Sequence, residues 1–332
     1  MQGRRLLYGN GEYLSARKEK GSCRMSITLG SINISERKGT VKTPIHRAEV
    51  YEQGLKEDAH SGDWHRMISL LGQASVERFE KQMDRNIGPG EFGENLTIEG
   101  LDLNEVAVLD RFTIGGVELE ITQIGKTCHG DDCAIFKEVG KCVMPQEGLF
   151  ARVIRGGTIE TGQDIEYHPR DFVIRVLTVS DRVSAGVYKD RSGPRALELV
   201  KAAFASKRYH LRTEYQCVPD EQEAIEAAFT AALNAGEDIV ISTGGTGIGP
   251  RDITPEALAA VAEKMVPGVM DHIRLTAGAR KPNALLSRSA CAVGSSTIFY
   301  TLPGSVKAVE EYLQELFKTL DHMVAMLHGI GH

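Results

Sequence analysis

The residues best suited to chemistry lie in the stretch 238–257. Ile239, Val240 and Ile241 form a short β-branched run of the kind found in a strand buried on both faces. Thr243, Gly244, Gly245, Thr246 and Gly247 follow, and their glycines allow a sharp turn and close backbone approach to a ligand. Beyond Arg251 and Asp252, Thr254 is a good N-cap and Pro255 a good first helical residue, so a helix is expected from about residue 255. Strand, glycine loop, charged pair and helix mouth together suit an anion, with free N–H groups and a positive dipole end facing a phosphate. No Lys-Ser/Thr pair follows the glycines, which excludes a Walker A loop. Gly245-Thr246-Gly247 continues as Ile248-Gly249-Pro250, which breaks the dinucleotide fingerprint. A purely structural turn is the competing reading, and for a bare Gly-Gly it would win. Two threonine hydroxyls, an arginine and an aspartate at a helix start reverse that balance.

Two further groups carry chemistry. Asp220 opens Asp-Glu-Gln-Glu, which reads as a capping box with Glu223, so a plain helix cap competes with an acidic ligand there. Cys128, His129, Cys133 and Cys142 sit close together, but cysteine spacings of five and nine match no common zinc finger or ribbon. A thiolate at Cys128 could bind a soft metal or carry sulfur; a buried free thiol is the alternative, and is preferred for Cys133 and Cys142. His60 and His65 read equally as structural histidines or as ligands.

The elements that must position these groups divide the chain in two. Residues 1–24 show no periodicity and are expected to be a disordered extension ahead of a start at Met25; a basic tail that docks a partner is the other reading. Residues 25–168 read as mainly β, with short strand-like runs at 95–99, 106–114, 117–124, 150–154 and 164–167, one helix near 74–83, and hairpin signals at Gly115-Gly116 and Gly156-Gly157. A barrel-like sheet is the expected fold. A polar hinge over 167–171 holds Pro169. From there, through 171–332, strands alternate with amphipathic helices, as in a three-layer α/β domain with a mostly parallel sheet. Its apolar helical faces are Leu197, Val200, Ala203 and Phe204, then Ile225, Ala228, Phe229, Ala232 and Leu233, and finally Val309, Leu313, Leu316, Leu320 and Met323. A strand is expected over 172–179, ending at Ser180-Asp181-Arg182, and another over 297–302, turned by Pro303-Gly304-Ser305.

Composition narrows the function classes. The 332 residues are 42% hydrophobic and 25% charged, a balance typical of soluble globular chains. Residues 1–168 carry 21 Lys+Arg against 26 Asp+Glu, and 169–332 carry 18 against 19, so neither half is basic and no extended nucleic-acid surface is expected. Six cysteines in a long chain argue for thiols rather than a disulfide framework. No apolar run is long enough to span a bilayer, and Arg4-Arg5 leads into no apolar leader, so a cytoplasmic protein without membrane contact is expected.

Thr243-Gly244-Gly245-Thr246-Gly247 followed by Arg251-Asp252-Ile253-Thr254-Pro255-Glu256-Ala257 resembles the signature of the molybdopterin adenylyltransferase family of molybdenum-cofactor biosynthesis. The resemblance extends from about Phe172 to Gly331 and takes in Leu286-Ser287-Arg288. It implies transfer of AMP from Mg-ATP to the terminal phosphate of molybdopterin, with release of pyrophosphate. It also implies Asp220 and Asp252 as catalytic, Mg²⁺-holding acids. Ser180, Asp181, Arg182, Thr243, Gly244, Gly245, Thr246, Gly247, Arg251, Ser287, Pro303, Gly304 and Ser305 become the nucleotide- and pterin-binding set. Val306 stands where the family often has proline, and Asp271 where many relatives carry glutamate. The physics agrees: the attacking phosphate oxygen is already anionic, so no base is required, and the difficulty lies in bringing two polyanions together.

Gly62-Asp63-Trp64-His65-Arg66, Gly93-Glu94-Asn95-Leu96, Thr122-Gln123-Ile124-Gly125 leading to Cys128, and Gly148-Leu149-Phe150-Ala151-Arg152-Val153 resemble the MOSC domain of molybdenum-cofactor sulfurases. That resemblance implies a half that binds the molybdenum cofactor or carries its sulfur at Cys128. A molybdoenzyme or cofactor-insertion partner and a homo-oligomer, a trimer through the C-terminal half, are implied as well. Two readings from other classes remain: a non-catalytic cofactor carrier or chaperone, against which the retention of both Asp220 and Asp252 argues, and a MOSC half serving as a zinc-stabilised interaction module.

Overall fold

A computed structural model describes residues 26–127 and 143–330. Residues 1–24, His129 and the cysteines at 128, 133 and 142 lie outside the described residues, and so does the expectation placed on Cys128. The N-terminal half contains β1 (Thr28–Ile34), β2 (Thr43–Ile45), β3 (Arg47–Tyr51), β4 (Gly54–Leu55), β5 (Ile68–Gly72), α1 (Gln73–Met83), β6 (Leu96–Glu99), β7 (Arg111–Ile114), β8 (Val117–Ile124), α2 (Met144–Glu147), β9 (Leu149–Arg155), β10 (Gly157–Glu160) and β11 (Ile165–His168). Eight of these strands form one mixed sheet in the order β11-β7-β8-β9-β5-β6-β1-β2, and β10-β3-β4 form a second.

The expected barrel is thus a large open sheet beside a small one. An isolated bridge between Thr28 and Asp164 brings β1 back toward the β11 end, but the named strands do not close a ring. The short β2, which contains Pro44, is one edge. Gly115-Gly116 makes the expected β7–β8 hairpin. Gly156-Gly157 does not make a hairpin: β9 pairs β8 and β5, while β10 crosses to β3. The expected strand over 106–114 is shorter: a 3₁₀ turn at Leu103–Glu105 precedes it, Leu109 has a φ of +74°, and the regular strand begins only at Arg111. Central β5 is buried throughout: Ile68 and Leu70 enter the main core with Leu29, Ile32, Phe112 and Ile121, and Leu71 enters a smaller core with Val76, Phe92 and Phe150. A strand covered on both faces has no reason to alternate, which is why its pattern hides its type.

The C-terminal half contains β12 (Asp171–Val179), α3 (Asp181–Ser184), α4 (Ser192–Phe204), β13 (His210–Val218), α5 (Gln222–Asn234), β14 (Ile239–Thr243), α6 (Thr254–Val261), β15 (Lys264–Met265), α7 (Pro267–Gly278), β16 (Cys291–Gly294), β17 (Thr297–Leu302) and α8 (Val306–Leu327). The sheet order is β13-β12-β14-β17-β16-β15; the first four strands are parallel, β16 runs antiparallel to β17, and β15 pairs antiparallel with β16. Alternate residues face opposite layers. Ile239 and Ile241 pack with α4, α7 and α8 residues such as Val200, Ile273 and Leu316. Val240 packs with Phe229 of α5 and Leu258 of α6. The three-layer expectation therefore holds.

The joint between the halves is tight. Only Pro169 and Arg170 separate β11 from β12. The fully buried carboxylate of Asp110 accepts from Ala107 N (2.7 Å), Arg170 N (2.9 Å) and Tyr167 Oη (2.6 Å), with His210 Nε2 2.9 Å away. A carboxylate can only accept here, so His210 carries its hydrogen on Nε2. Arg208 donates to the carbonyls of Leu103 and Val106, Arg152 to that of His328 at 2.8 Å, and Arg170 pairs with Asp238 at 2.8 Å. The expected hinge is therefore pinned from both sides.

Candidate functional site

Strand β14 delivers the glycine loop to the C-terminal edge of the parallel sheet, the usual ligand position in open α/β sheets. Gly244 and Gly245 have φ of +105° and +64°, a region that side chains rarely adopt. A Cβ on Gly244 would also run into the Val179 carbonyl, and one on Gly245 into the Thr254 hydroxyl. Gly304 lies against Gly244, so the 303–305 turn stacks directly on the loop. The amides of Gly245, Thr246 and Gly247 make no hydrogen bond among the described residues.

Thr254 was expected to cap α6, but it is the first residue of that helix. Its hydroxyl instead donates to Gly244 O (3.0 Å), while its amide donates to Gly245 O (3.0 Å). Asp220 likewise is not the cap of α5, whose N-cap is Glu221 without a side-chain bond. Asp220 and Asp181 grip each other's backbone: Asp181 N donates to Asp220 Oδ2 (2.8 Å), and Asp220 N to Asp181 Oδ1 (3.0 Å). Arg251 bridges from the loop, pairing with Asp181 Oδ2 at 2.6 Å and donating to Asp220 O at 3.1 Å. Burial, with a smaller push from the Asp181 and Asp252 charges, raises the Asp220 carboxyl above its ordinary range against the pull of the Asp181 amide and Arg251. Asp252 accepts from Gly249 N at 2.9 Å through Oδ2, and that carboxylate fills the space a Cβ on Gly247 or Gly249 would need.

Beside the loop lies a cleft of about 370 Å³, lined among others by Ser180, Tyr188, Asp190, Ser192, Thr243 and Ser305. The structure brings Ser180, Thr243, Gly304 and Ser305 together around it. Ser180 also caps α3 through Val183 N, and Ser305 caps α8 through Ala308 N. Arg182 lies 5.0 Å from the Tyr188 ring at the surface. Ser287 does not line the cleft, and its hydroxyl pairs with Ser289 at 2.8 Å.

Sequence reasoning passed over Asp190. Its carboxylate accepts from Thr178 (2.7 Å), Tyr215 (2.7 Å), Ser192 N (3.0 Å) and Gly193 N (3.3 Å), and so fixes the start of α4 at the cleft floor. Burial alone would raise this carboxyl, but the Thr178 and Tyr215 hydroxyls and the α4 amides outweigh it and hold the group below its usual range. An acid two residues ahead of Ser-Gly-Pro at a helix start was the available signal. Arg288 was read only as part of the family-like Leu286-Ser287-Arg288 stretch and given no role, because its contacts are with a distant loop.

A second cavity, of about 410 Å³, lies in the N-terminal half between Lys38, His60, Trp64, Arg66, Lys126 and Phe150. Lys38 and Arg66 stand 5.5 and 4.7 Å from the Trp64 ring. Behind them Lys42 and Asp58 form a fully buried ion pair at 2.6 Å, with Lys42 Nζ 3.2 Å from His60 Nδ1. Arg66 Nε and His65 Nδ1 are buried without partners among the described residues. Two cations at the indole, with Lys126 over Phe150 in the same cavity, suit a flat, anionic ligand. Lys126 leads toward Cys128, which lies outside the described residues. Among the described residues no group of three or more His, Cys, Asp or Glu could hold a metal by itself, and no helix is long and apolar enough to cross a membrane.

Comparison with known proteins adds to this geometry. A family model described as a probable molybdopterin binding domain matches residues 175–322, and a MOSC domain model matches 57–166. A molybdenum cofactor biosynthesis bifunctional protein of Synechococcus elongatus is 39% identical over 92% of this chain and 98% of its own length. A molybdopterin adenylyltransferase of Helicobacter pylori is 36% identical over 47% of this chain and 88% of its own length. Gephyrin of Dictyostelium discoideum is 34% identical over 48% of this chain, which spans only 23% of that relative. The two matched regions lie on either side of the Pro169–Arg170 joint, and the chain belongs to the family of bifunctional molybdenum cofactor biosynthesis proteins, a MOSC domain joined to a molybdopterin-binding domain.

Proposed function

We propose that the C-terminal half, residues 171–332, is a molybdopterin adenylyltransferase, and that the N-terminal half, residues 25–168, binds the molybdenum cofactor or carries its sulfur at Cys128. The observation that carries the first part is the row of unpaired amides at Gly245, Thr246 and Gly247, set between Asp252 and the Asp181–Asp220 pair. A terminal phosphate oxygen of molybdopterin attacks the α-phosphorus of ATP. A new P–O bond forms, the α–β bridging P–O bond breaks, and pyrophosphate leaves with its electron pair. The loop amides hold phosphate oxygens, and Ser180, Thr243 and Ser305 with the Gly304 backbone shape the cleft for nucleotide and pterin.

Mg²⁺ enters as part of the substrate Mg-ATP and offsets charge on the phosphates. Such an ion is usually held by one or two carboxylates together with phosphates and water, a demand that Asp220 and Asp252 fit without a dedicated cage. One oxygen of each is already committed to a backbone amide, which fixes the direction in which the carboxylate faces. Purified protein with molybdopterin and Mg-ATP is expected to yield adenylylated pterin and pyrophosphate. Pterin binding without either product would favour the non-catalytic carrier. For the N-terminal half, the cavity at Trp64 supports cofactor binding, and Cys128→Ser is expected to abolish cofactor retention or persulfide formation without changing AMP transfer. A trimer through the C-terminal half completes the reading, with sedimentation equilibrium as its check.

A further inference from the structure

A loop that turns its amides toward a phosphate must send its carbonyls elsewhere, and an unpaired buried carbonyl is costly. The carbonyls of Gly244 and Gly245 go to Thr254, and that of Gly249 goes to Asp252 N at 3.0 Å. Three more, those of Thr246, Gly247 and Asp252, converge on one residue outside the loop. Arg288 donates from its backbone N to Thr246 O at 2.8 Å, from Nε to Gly247 O at 2.7 Å, and from Nη2 to Asp252 O. Its fourth donor pairs with Glu256 in the first turn of α6. Arg288 sits just ahead of β16, far from the loop in sequence, and its side chain is part-buried.

We infer that Arg288 is a positioning residue for AMP transfer, gathering both ends of the glycine loop so that its amides and the Asp252 carboxylate face the substrate. This rests on the adenylyl-transfer reading. The guanidinium reaches the carbonyl of Asp252 and that of Gly247, whose position the Asp252 carboxylate packs against. Its planar fork serves both carbonyls at once; a lysine ammonium at the same site has neither the reach nor the geometry for two. Without the fork, the 246–252 segment loses the side-chain clamp that holds its carbonyls away from the cleft. The outcome is a misplaced acid and a misplaced anion cradle rather than a missing ligand.

The test uses the full chain. Arg288→Ala is expected to lower kcat for AMP transfer about 100-fold, the order of loss that a misplacement of about 1 Å can cause. KM for molybdopterin should stay within about threefold, because Ser180, Thr243, Ser305 and the Gly304 backbone, which shape the cleft, are untouched. Arg288→Lys should recover no more than a tenth of the lost rate. Free guanidinium at millimolar concentration should raise the Ala variant at least tenfold and leave wild type unchanged. A residue that serves only to keep the domain folded would show none of this selectivity. The inference is overturned if kcat for Arg288→Ala stays within twofold of wild type. It is also overturned if kcat falls only in proportion to the folded fraction, with no response to guanidinium. Absence of AMP transfer in wild type would instead remove the adenylyl-transfer reading itself.

Discussion

Replacing Asp110 by Ala tests whether the two halves stand as one body. The carboxylate is fully buried and serves four donors: Ala107 N, Tyr167 Oη, Arg170 N and His210 Nε2. Two of these belong to the N-terminal half, and two lie at or beyond the joint. Truncation orphans Ala107 N and Arg170 N and leaves Tyr167 Oη and His210 Nε2 mainly to each other, 3.1 Å apart; each buried donor left unpaired costs about 1–3 kcal/mol. Water entering the vacated space satisfies some of them, so the net loss should be about 3–5 kcal/mol, as for removal of one partner from a buried charged network. Asp110→Asn keeps the shape but turns an amino group toward donors, and should fall between Ala and wild type.

Urea unfolding followed by tyrosine fluorescence and far-UV dichroism should show wild type as one cooperative transition. The Ala variant should separate into two, with the C-terminal half outlasting the N-terminal one. The phenol of Tyr167 gives an independent readout. Burial and then the Asp110 hydrogen bond push its pKa well above the ordinary tyrosine value, and removing Asp110 should bring it down. A loss below about 1 kcal/mol, or a single unchanged transition, would refute the account of Asp110 as the central contact.

Further outcomes follow from the site. Asp252→Asn should lower kcat by about 100-fold or more while pterin binding and unfolding midpoint stay near wild type, the pattern for loss of a charge used mainly in the transition state; unchanged turnover at saturating Mg²⁺ would remove Asp252 from the mechanism. Because burial raises the Asp220 carboxyl, the acid limb of kcat/KM should lie above the ordinary aspartate value of about 3.9, and a limb at or below it would count against Asp220 as the titrating group. Asp190 has the opposite sign: its folded pKa is depressed, so its stabilisation is complete above the unfolded value and is lost as pH falls through the folded one. Unfolding midpoints of wild type and Asp190→Asn should therefore differ at pH 7 and converge in strong acid. Gly244→Ala should abolish activity and destabilise the domain by about 2 kcal/mol or more, since its φ and the Val179 carbonyl both oppose a side chain. Alkylation at neutral pH should spare Cys291, whose thiol burial pushes up to about 12, so rapid labelling would have to come from elsewhere in the chain.

The C-terminal half was legible because its signals are local. The β-branched run at 239–241, the loop glycines and Pro255 each act within a few residues, and the strand expected over 297–302 is found at Thr297–Leu302. Strand β13 went unread because His210–Val218 lies at the sheet edge with polar residues on both sides and no clean alternation. The N-terminal sheet was harder. β5 pairs with β6 in parallel and with β9 in antiparallel fashion, and nothing in a five-residue apolar run encodes either partner. The roles of Asp190 and Arg288 escaped notice because each rests on distant partners, the Thr178 and Tyr215 hydroxyls for Asp190 and the carbonyls of Thr246, Gly247 and Asp252 for Arg288, and such bonds leave no spacing in the sequence.

The joint at Pro169 and Arg170 has a consequence for traffic. Two residues reach at most about 7 Å when fully extended, and here both ends are strands fixed in sheets. A slack tether would let one half swing over the other and raise the local concentration of its cargo. This joint permits no such swing, so fusion alone does not deliver a product from the cleft at Ser180 to the cavity at Trp64. On the proposed reading, a pterin released at one site would travel through solvent, where it competes with the bulk pool. Molybdopterin labelled at the first site should therefore be diluted freely by unlabelled pterin before it appears at the second.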